Sequence, residues 1–510
     1  MNGMAWSVIL LVGLLLSNGR SYGDETNVPT ASAAVSEQPM VTHHSIRIDG
    51  TSLDYAATAG FLPLRDDSGK LQANMFFVAY TKEGETNRSS RPITFAFNGG
   101  PGASSMWLHL GALGPKRVAL PANGMKLPET NRLVENDETW LDFGDLVFVD
   151  PIGTGYSRAA MGVDAKQFYT LPKDIDVAAR FIRTYVTQYE RWLSPKFIAG
   201  ESYGTTRAAA LANRLQSMAG LDLNGVILLS SALSFQAFSY DGGNDIAYAL
   251  AVPTFAAAAS YHKKAFTDQA AVEQWVLHDY LPALAKGDAL AQDARERTIE
   301  KMAAYTGLST NYIETSGLRV NAAGFVKELL RGEGHILGYM DSRVVGEDVI
   351  PRGEYAHFDP AFFLATGPFV STLNDYVRHE LNFQTDLPYE YLSSEVNGSW
   401  KWIEHGQGYV YVADDLAEAM TRDEHFRVFA GAGEYDLTTP WFGQKYVFDH
   451  MGLDPSRRAN LTFRVYPAGH QMYTDPVSLK KLHDDVAAFV RVCLRPSSPN
   501  APVYGPGGSP

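Results

Sequence analysis

Gly200, Glu201, Ser202, Tyr203 and Gly204 stand between the apolar run "FIA" and the alanine-rich stretch "TTRAAALANRL". A serine set between glycines where a strand turns into a helix is presented as a nucleophile, because the missing side chains let strand and helix close in around it. The plainer reading of Ser202 is a helix N-cap. A serine hydroxyl is weak on its own: it needs a base, and the base needs an acid to orient it. His470 follows the strand-like run "LTFRVYPAG", and Asp436 follows "FRVFAGAGEY". The chain order Ser202, Asp436, His470 is one in which such a set occurs on a parallel sheet. His450 and His483 lie in helical patterns, Glu434 flanks Asp436, and Asp436 before Thr438 and Pro440 also suits a carboxylate that caps its own turn.

A second motif, "NGGPG" at 98–102, ends the apolar run "ITFAF". The N–H groups of a glycine-rich turn gather around something negative: a phosphate, a substrate carboxylate, or an oxyanion formed during reaction. The Lys-Ser/Thr that completes a phosphate loop is absent here, which removes the phosphate reading. The chain has no H-E-x-x-H and no Cys/His ligand cluster, so no metal and no cofactor is expected.

These residues must be carried by a sheet. "HSIRIDG" and "ANMFFVAY" between 44 and 80 read as an antiparallel meander. "ITFAFNG", "DLVFVD", "KFIAG" and "GVILLSS" then alternate with helical segments, one of which sets Ala178, Phe181, Ile182, Tyr185, Val186 and Tyr189 on one face. Uninterrupted apolar strands alternating with helices imply a buried, mostly parallel sheet, with loops meeting at its carboxyl edge. The alternation stops near Phe238 and returns after Asp423. The expected architecture is therefore an α/β-hydrolase fold with N-terminal antiparallel strands and an inserted, mainly helical cap. The expected segments are a signal peptide at 1–23, a flexible leader at 24–42, core at 43–238, cap at 239–423, core at 424–495 and a disordered Pro/Gly tail at 496–510.

With 510 residues, 45% of them hydrophobic, the chain can bury a large core; its net charge of −14 without a basic run argues against nucleic acid or anionic lipid as partner. The apolar run at 6–16 is too short to span a bilayer and reads as an export signal, leaving no stable membrane association after cleavage. The single cysteine, Cys493, cannot form an internal disulfide. An exported chain of this kind fits the bacterial periplasm better than eukaryotic secretion, so a periplasmic or secreted location is expected.

With these residues in place, the chain resembles the serine carboxypeptidase family. "NGGPGASS" at 98–105, "VDPIGTGYS" at 149–157, "GESYG" at 200–204, "GEYDLTTP" at 433–440 and "AGHQ" at 468–471 resemble that family's motifs in order. The resemblance implies an exopeptidase acting on peptides with a free C-terminus. Ser202 would be the nucleophile, His470 the base and Asp436 its orienting acid. Gly100 and Tyr203 would supply the oxyanion N–H groups, and Asn98, Gly99 and Glu201 would hold the substrate carboxylate. A carboxyl such as Glu201 can hydrogen-bond a carboxylate only when one of the two carries a proton, which predicts activity favoured at mildly acidic pH. The chain departs from the pattern at Val149, at Ala103 in place of cysteine, and at Ala112, where the family often carries a second glutamate. The last departure keeps an esterase or acyltransferase open, with a non-catalytic binding protein as a third reading. His109, one helical turn before Ala112, is a candidate to fill the gap. Labelling by a fluorophosphonate is expected for the wild type and is lost in Ser202→Ala; persistent labelling of the variant would remove Ser202 as nucleophile.

Overall fold

The computed structural model describes residues 38–121, 125–402 and 408–495. The expected signal peptide, the tail at 496–510 and most of the leader lie outside the described residues. The main sheet follows the order β1 (Met40–Ile48), β2 (Thr51–Arg65), β3 (Leu71–Lys82), β5 (Asp145–Val149), β4 (Ile93–Phe97), β6 (Lys196–Glu201), β7 (Gly225–Leu229), β8 (Arg427–Gly433) and β9 (Leu461–Tyr466). The strand Arg158–Ala159 adds to β3. From β5 through β9 all neighbours run parallel, whereas β1, β2 and β3 are antiparallel to their neighbours, β3 to β5 included. Strands β4, β5, β6 and β7 are buried at every residue, which is why their sequences are continuous apolar runs rather than alternations.

The leader expected to reach residue 42 is shorter than its composition suggests. Met40, Val41 and Thr42 already pair with Ala59, Thr58 and Ala57 of β2. Edge position explains the missing signal: Met40 and Val41 are exposed, so backbone pairing holds them without an apolar face.

Helix α1 (Leu171–Gln188) is capped by Thr170, whose side chain accepts from the Lys173 N–H, and it buries Ala178, Phe181, Ile182, Tyr185 and Val186. Tyr189 lies just past its end and stacks on Tyr185 with ring centroids 4.3 Å apart. Helix α2 (Tyr203–Arg214) leaves β6 and is buried over its first ten residues. Among the described residues between β7 and β8 the chain is mostly helical, with one short antiparallel pair, His335–Leu337 with Val345–Glu347. Helix α3 (Asp245–Tyr261) of this block has no polar stripe; Leu250, Val252, Phe255 and Ala256 join the same apolar cluster as Phe95 and Leu228 of the sheet. Helix α4 (Pro360–His379) packs through Phe369, Leu373 and Tyr376 on the opposite face, with Met106, Leu110 and α5 (Pro476–Cys493).

The amino ends of β4 and β5 are tied by charge. Buried Asp145 accepts from Arg91 Nε and Arg191 Nη1, both at 2.6 Å. The guanidinium groups also donate to the carbonyls of Leu141 and Arg91. Asp145→Ala leaves two buried cations without a counter-charge, and a loss of about 3–5 kcal/mol is expected from denaturant unfolding; a loss under about 1 kcal/mol would mean that water reaches the cluster.

Candidate active site

Ser202 sits between β6 and α2 with φ 58° and ψ −128°, a backbone conformation that non-glycine residues rarely adopt. The surrounding glycines show what holds it there. A Cβ on Gly200 would lie 2.2 Å from the Gly204 carbonyl oxygen, and one on Gly204 would lie 2.4 Å from that of Phe97. The Ser202 N–H donates to Leu229 O at 2.9 Å. The turn is therefore clamped between β4 and β7. Ser202 makes no side-chain cap hydrogen bond to α2, so it does not serve as that helix's N-cap in the usual way.

His470 and Asp436 come together at the same carboxyl edge. His470 Nδ1 lies 2.8 Å from Asp436 Oδ2, its N–H donates to Met340 O at 2.6 Å, and its carbonyl accepts from Ser230 Oγ at 2.7 Å. Fully buried Asp436 accepts at Oδ1 from the N–H groups of Thr438 and Thr439, and at Oδ2 from Thr439 Oγ1. The turn-capping and histidine-facing readings of this aspartate are thus both realised, one on each oxygen. Burial disfavours protonated His470, but the charges of Asp436 and then Glu201 outweigh it, and the imidazole is raised above its ordinary value. The other candidates are engaged otherwise: His450 is bonded to Tyr446 O, His483 faces Asp142, and burial raises the Glu434 carboxyl against the pull of Arg343.

The glycine loop lies against the serine turn. A Cβ on Gly99 would fall 2.6 Å from the Tyr203 nitrogen and 2.9 Å from Ser202 Cβ. Gly100 has φ +99° and precedes a cis peptide bond to Pro101. As the first residue of α2, Tyr203 has no intrahelical partner for its N–H. Asn98 donates through Nδ2 to Glu201 Oε1 at 3.0 Å, while its Oδ1 accepts from the Leu108 N–H. Glu201 is buried, and that burial pushes its carboxyl up to about 7, with His470, Tyr473 and Asn98 pulling the other way. The Tyr473 hydroxyl faces Glu201 and Asn98, yet neither it nor Glu201 Oε2 has a hydrogen-bond partner.

Two contributors were missed in the sequence. Thr439 lies within the quoted "LTTP" and could have been found as a second hydroxyl one turn from Asp436. Tyr473 carried no signal, because its relation to Glu201 spans most of the chain. His109 does not fill the place proposed for it. Its Nε2 is 2.6 Å from the Tyr80 hydroxyl, its ring stacks on Phe148 at 4.3 Å, and burial pushes its pKa down to about 3. It is a neutral core residue, and Ala112 is buried in the same cluster.

The sheet order and its flanking helices make an α/β-hydrolase fold. The family model for serine carboxypeptidase matches residues 48–281. The match takes in the glycine loop and Ser202; Asp436 and His470 lie beyond it. The pheromone-processing carboxypeptidase KEX1 of Saccharomyces cerevisiae (strain JAY291) is 30% identical over 171 residues, covering 31% of this chain and 22% of that protein. The kex1 protein of Neurospora crassa is 34% identical over 154 residues, covering 28% and 20%. The chain thus spans about a fifth of the length of these curated relatives. The solved structure of the prohormone-processing carboxypeptidase Kex1(delta)p from Saccharomyces cerevisiae superposes with a TM-score of 0.57 at 18% identity, covering 86% of this chain and 91% of that one, and shares its fold.

Asp436 is the largest of the charges that raise His470, ahead of Glu201 and Asp359. Titration of the imidazole by NMR is expected above its ordinary value in the wild type, falling in Asp436→Asn and falling by less in Glu201→Gln. Equal values in all three would break this account of the site.

Proposed function

We propose that this protein is a serine carboxypeptidase that releases C-terminal amino acids from peptides. The observation that carries this reading is the buried Glu201–Asn98 pair directly beside Ser202. A carboxyl buried beside Ser202 and partnered on one oxygen only is placed to share a proton with a substrate carboxylate. With its pKa raised to about 7, Glu201 is protonated in mild acid and can donate to a substrate carboxylate. The arriving negative charge raises that pKa further, strengthening the shared proton.

In this reading Ser202 Oγ attacks the last peptide carbonyl, and its proton passes to His470 Nε2. Asp436 holds the Nδ1–H and stabilises the imidazolium. The oxyanion is met by the N–H groups of Gly100 and Tyr203, each worth roughly 10²–10³ in rate. Collapse breaks the C–N bond, and His470 returns the proton to the leaving amine. Water, deprotonated by His470, then attacks the acyl ester and frees Ser202.

The proton on Glu201 also helps the base. Ionised Glu201 is one of the charges that raise His470. When Glu201 is protonated that contribution disappears, and a neutral imidazole is easier to reach. Ala112 supports a second reading, an esterase or acyltransferase, because it leaves the carboxylate grip without a second acid. The apolar run at 6–16 supports an exported, periplasmic or secreted location, and among the described residues no helix is long and apolar enough to cross a membrane.

A blocked dipeptide and its C-terminal amide separate the readings. The free acid is expected to be cleaved at least tenfold faster in kcat/KM, and its advantage is lost as pH rises through about 7, when Glu201 gives up its proton. Glu201→Gln keeps a donor that does not titrate, so that alkaline loss should vanish. Equal rates on acid and amide would exclude the carboxypeptidase and leave the esterase.

A further inference from the structure

Behind the serine turn lies a buried ion pair that the proposed chemistry does not use directly. Arg207, on α2, is 1% exposed, and Asp174, on α1, is 6% exposed. Arg207 Nε donates to Asp174 Oδ2 at 2.9 Å. The other arm of the guanidinium, Nη1, donates to the carbonyl oxygen of Asn98 at 2.9 Å. The same Asp174 Oδ2 accepts from the Tyr203 hydroxyl at 3.1 Å. The guanidinium carbon lies 5.2 Å from the centroid of the Tyr203 ring and 5.4 Å from that of Phe97, within cation–π range of both.

The connectivity is specific. Gly100 and Tyr203, the two proposed oxyanion donors, come from different segments, one a glycine loop after β4 and the other the first turn of α2. An isolated loop with positive-φ glycines at 100 and 102 has many accessible backbone states. Arg207 grips that loop two residues before Gly100, through the Asn98 carbonyl. Through Asp174 it also anchors the side chain of Tyr203. One planar guanidinium, with donors at fixed angles, therefore ties both donors to a single rigid group. Lysine could carry the charge, but a single ammonium on a flexible stem does not offer two donors in a fixed plane.

We propose that Arg207, held by Asp174, is a positioning residue that sets the distance and angle between the oxyanion N–H groups of Gly100 and Tyr203. The proposal rests on the acyl-transfer reading of the site, though not on the identity of the substrate's terminus. Two facts set it apart from ordinary core stabilisation. The carbonyl that Arg207 grips belongs to Asn98, whose side chain contacts Glu201, so the clamp is continuous with the reacting side of the loop. The ring beside the guanidinium belongs to the residue that follows the nucleophile. A displacement of about 1 Å between oxyanion donors is enough to cost roughly 10²-fold in rate.

The test compares the wild type with Arg207→Gln, Arg207→Lys and Tyr203→Phe. Active sites are titrated with a fluorophosphonate, and kcat and KM are read on a free-acid dipeptide and on a p-nitrophenyl ester. The expected result is a fall in kcat per titrated site of about tenfold or more for Arg207→Gln on both substrates, with KM within about twofold. Arg207→Lys is expected to remain several-fold slower than wild type despite keeping the charge. Tyr203→Phe removes only the hydroxyl and leaves the ion pair whole, so it covers the case in which Arg207→Gln does not fold; a several-fold loss in kcat is expected. If Arg207→Gln folds, or Tyr203→Phe in its place, and keeps kcat within twofold of wild type while only its Tm falls, the pair is structural and the proposal is overturned. Wild-type enzyme that turns over the ester but releases no C-terminal residue would defeat the carboxypeptidase reading alone, and the ester kcat values would still decide the role of Arg207.

Discussion

The contact between two stretches of bare backbone governs this site. The glycine loop after β4 and the serine turn after β6 approach so closely that a Cβ on Gly204 would meet Phe97 O at 2.4 Å, and one on Gly99 would meet the Tyr203 nitrogen at 2.6 Å. No side chain fits there, so both segments present N–H groups instead. That closeness brings the loop beside Ser202 and keeps it in a conformation it would otherwise leave. It depends in turn on β4 and β6 being hydrogen-bonded neighbours in register, with Phe97 opposite Gly200.

Around that contact the carboxyl groups are sorted by their partners. Asp436, met by N–H groups and a hydroxyl, faces the imidazole. Glu201, with one amide donor and one empty oxygen, is raised by burial. Asp359 serves the frame: it accepts from the N–H groups of Tyr339 and Met340, and Met340 O receives the His470 N–H. A further buried acid, Asp150, takes the Ser105 N–H and hydroxyl, pinning the far end of the glycine loop. At the opposite edge of the sheet Asp145 is neutralised by two arginines. Asp145 is thus fully paired, whereas Glu201 Oε2 and Asp150 Oδ2 accept no hydrogen bond.

The block between β7 and β8 is joined to the site by backbone. Bridges link Ala103 to Leu392 and Gly155 to Glu390, and Ser393 N donates to Gly102 O at 2.8 Å. Trp400 stands edge-on to the Tyr203 ring at 5.3 Å. The helical segment therefore helps to shape the glycine loop that it covers, and α3 merges with the core of the sheet. This sharing of core explains why α3 reads as uniformly apolar.

The sequence by itself determined the central strands, because residues buried on both faces must be apolar throughout, and it singled out Ser202, Asp436 and His470 as candidates, because each follows a strand-like run in a recognisable motif. Positions of steric necessity were legible for the same reason: only glycine fits at 200 and 204. What the tertiary structure alone decided were the pairings of polar groups distant in the chain. His109 has the spacing to reach toward Ala112, but burial and the Tyr80 hydroxyl claim it. Tyr473 gives no hint in sequence that it faces Glu201. Arg207 reads as one charge in an alanine-rich helix until α1 brings Asp174 against it. Apolar burial is written in local periodicity, whereas the partner of a buried polar group is set by which elements meet, and no local pattern records that.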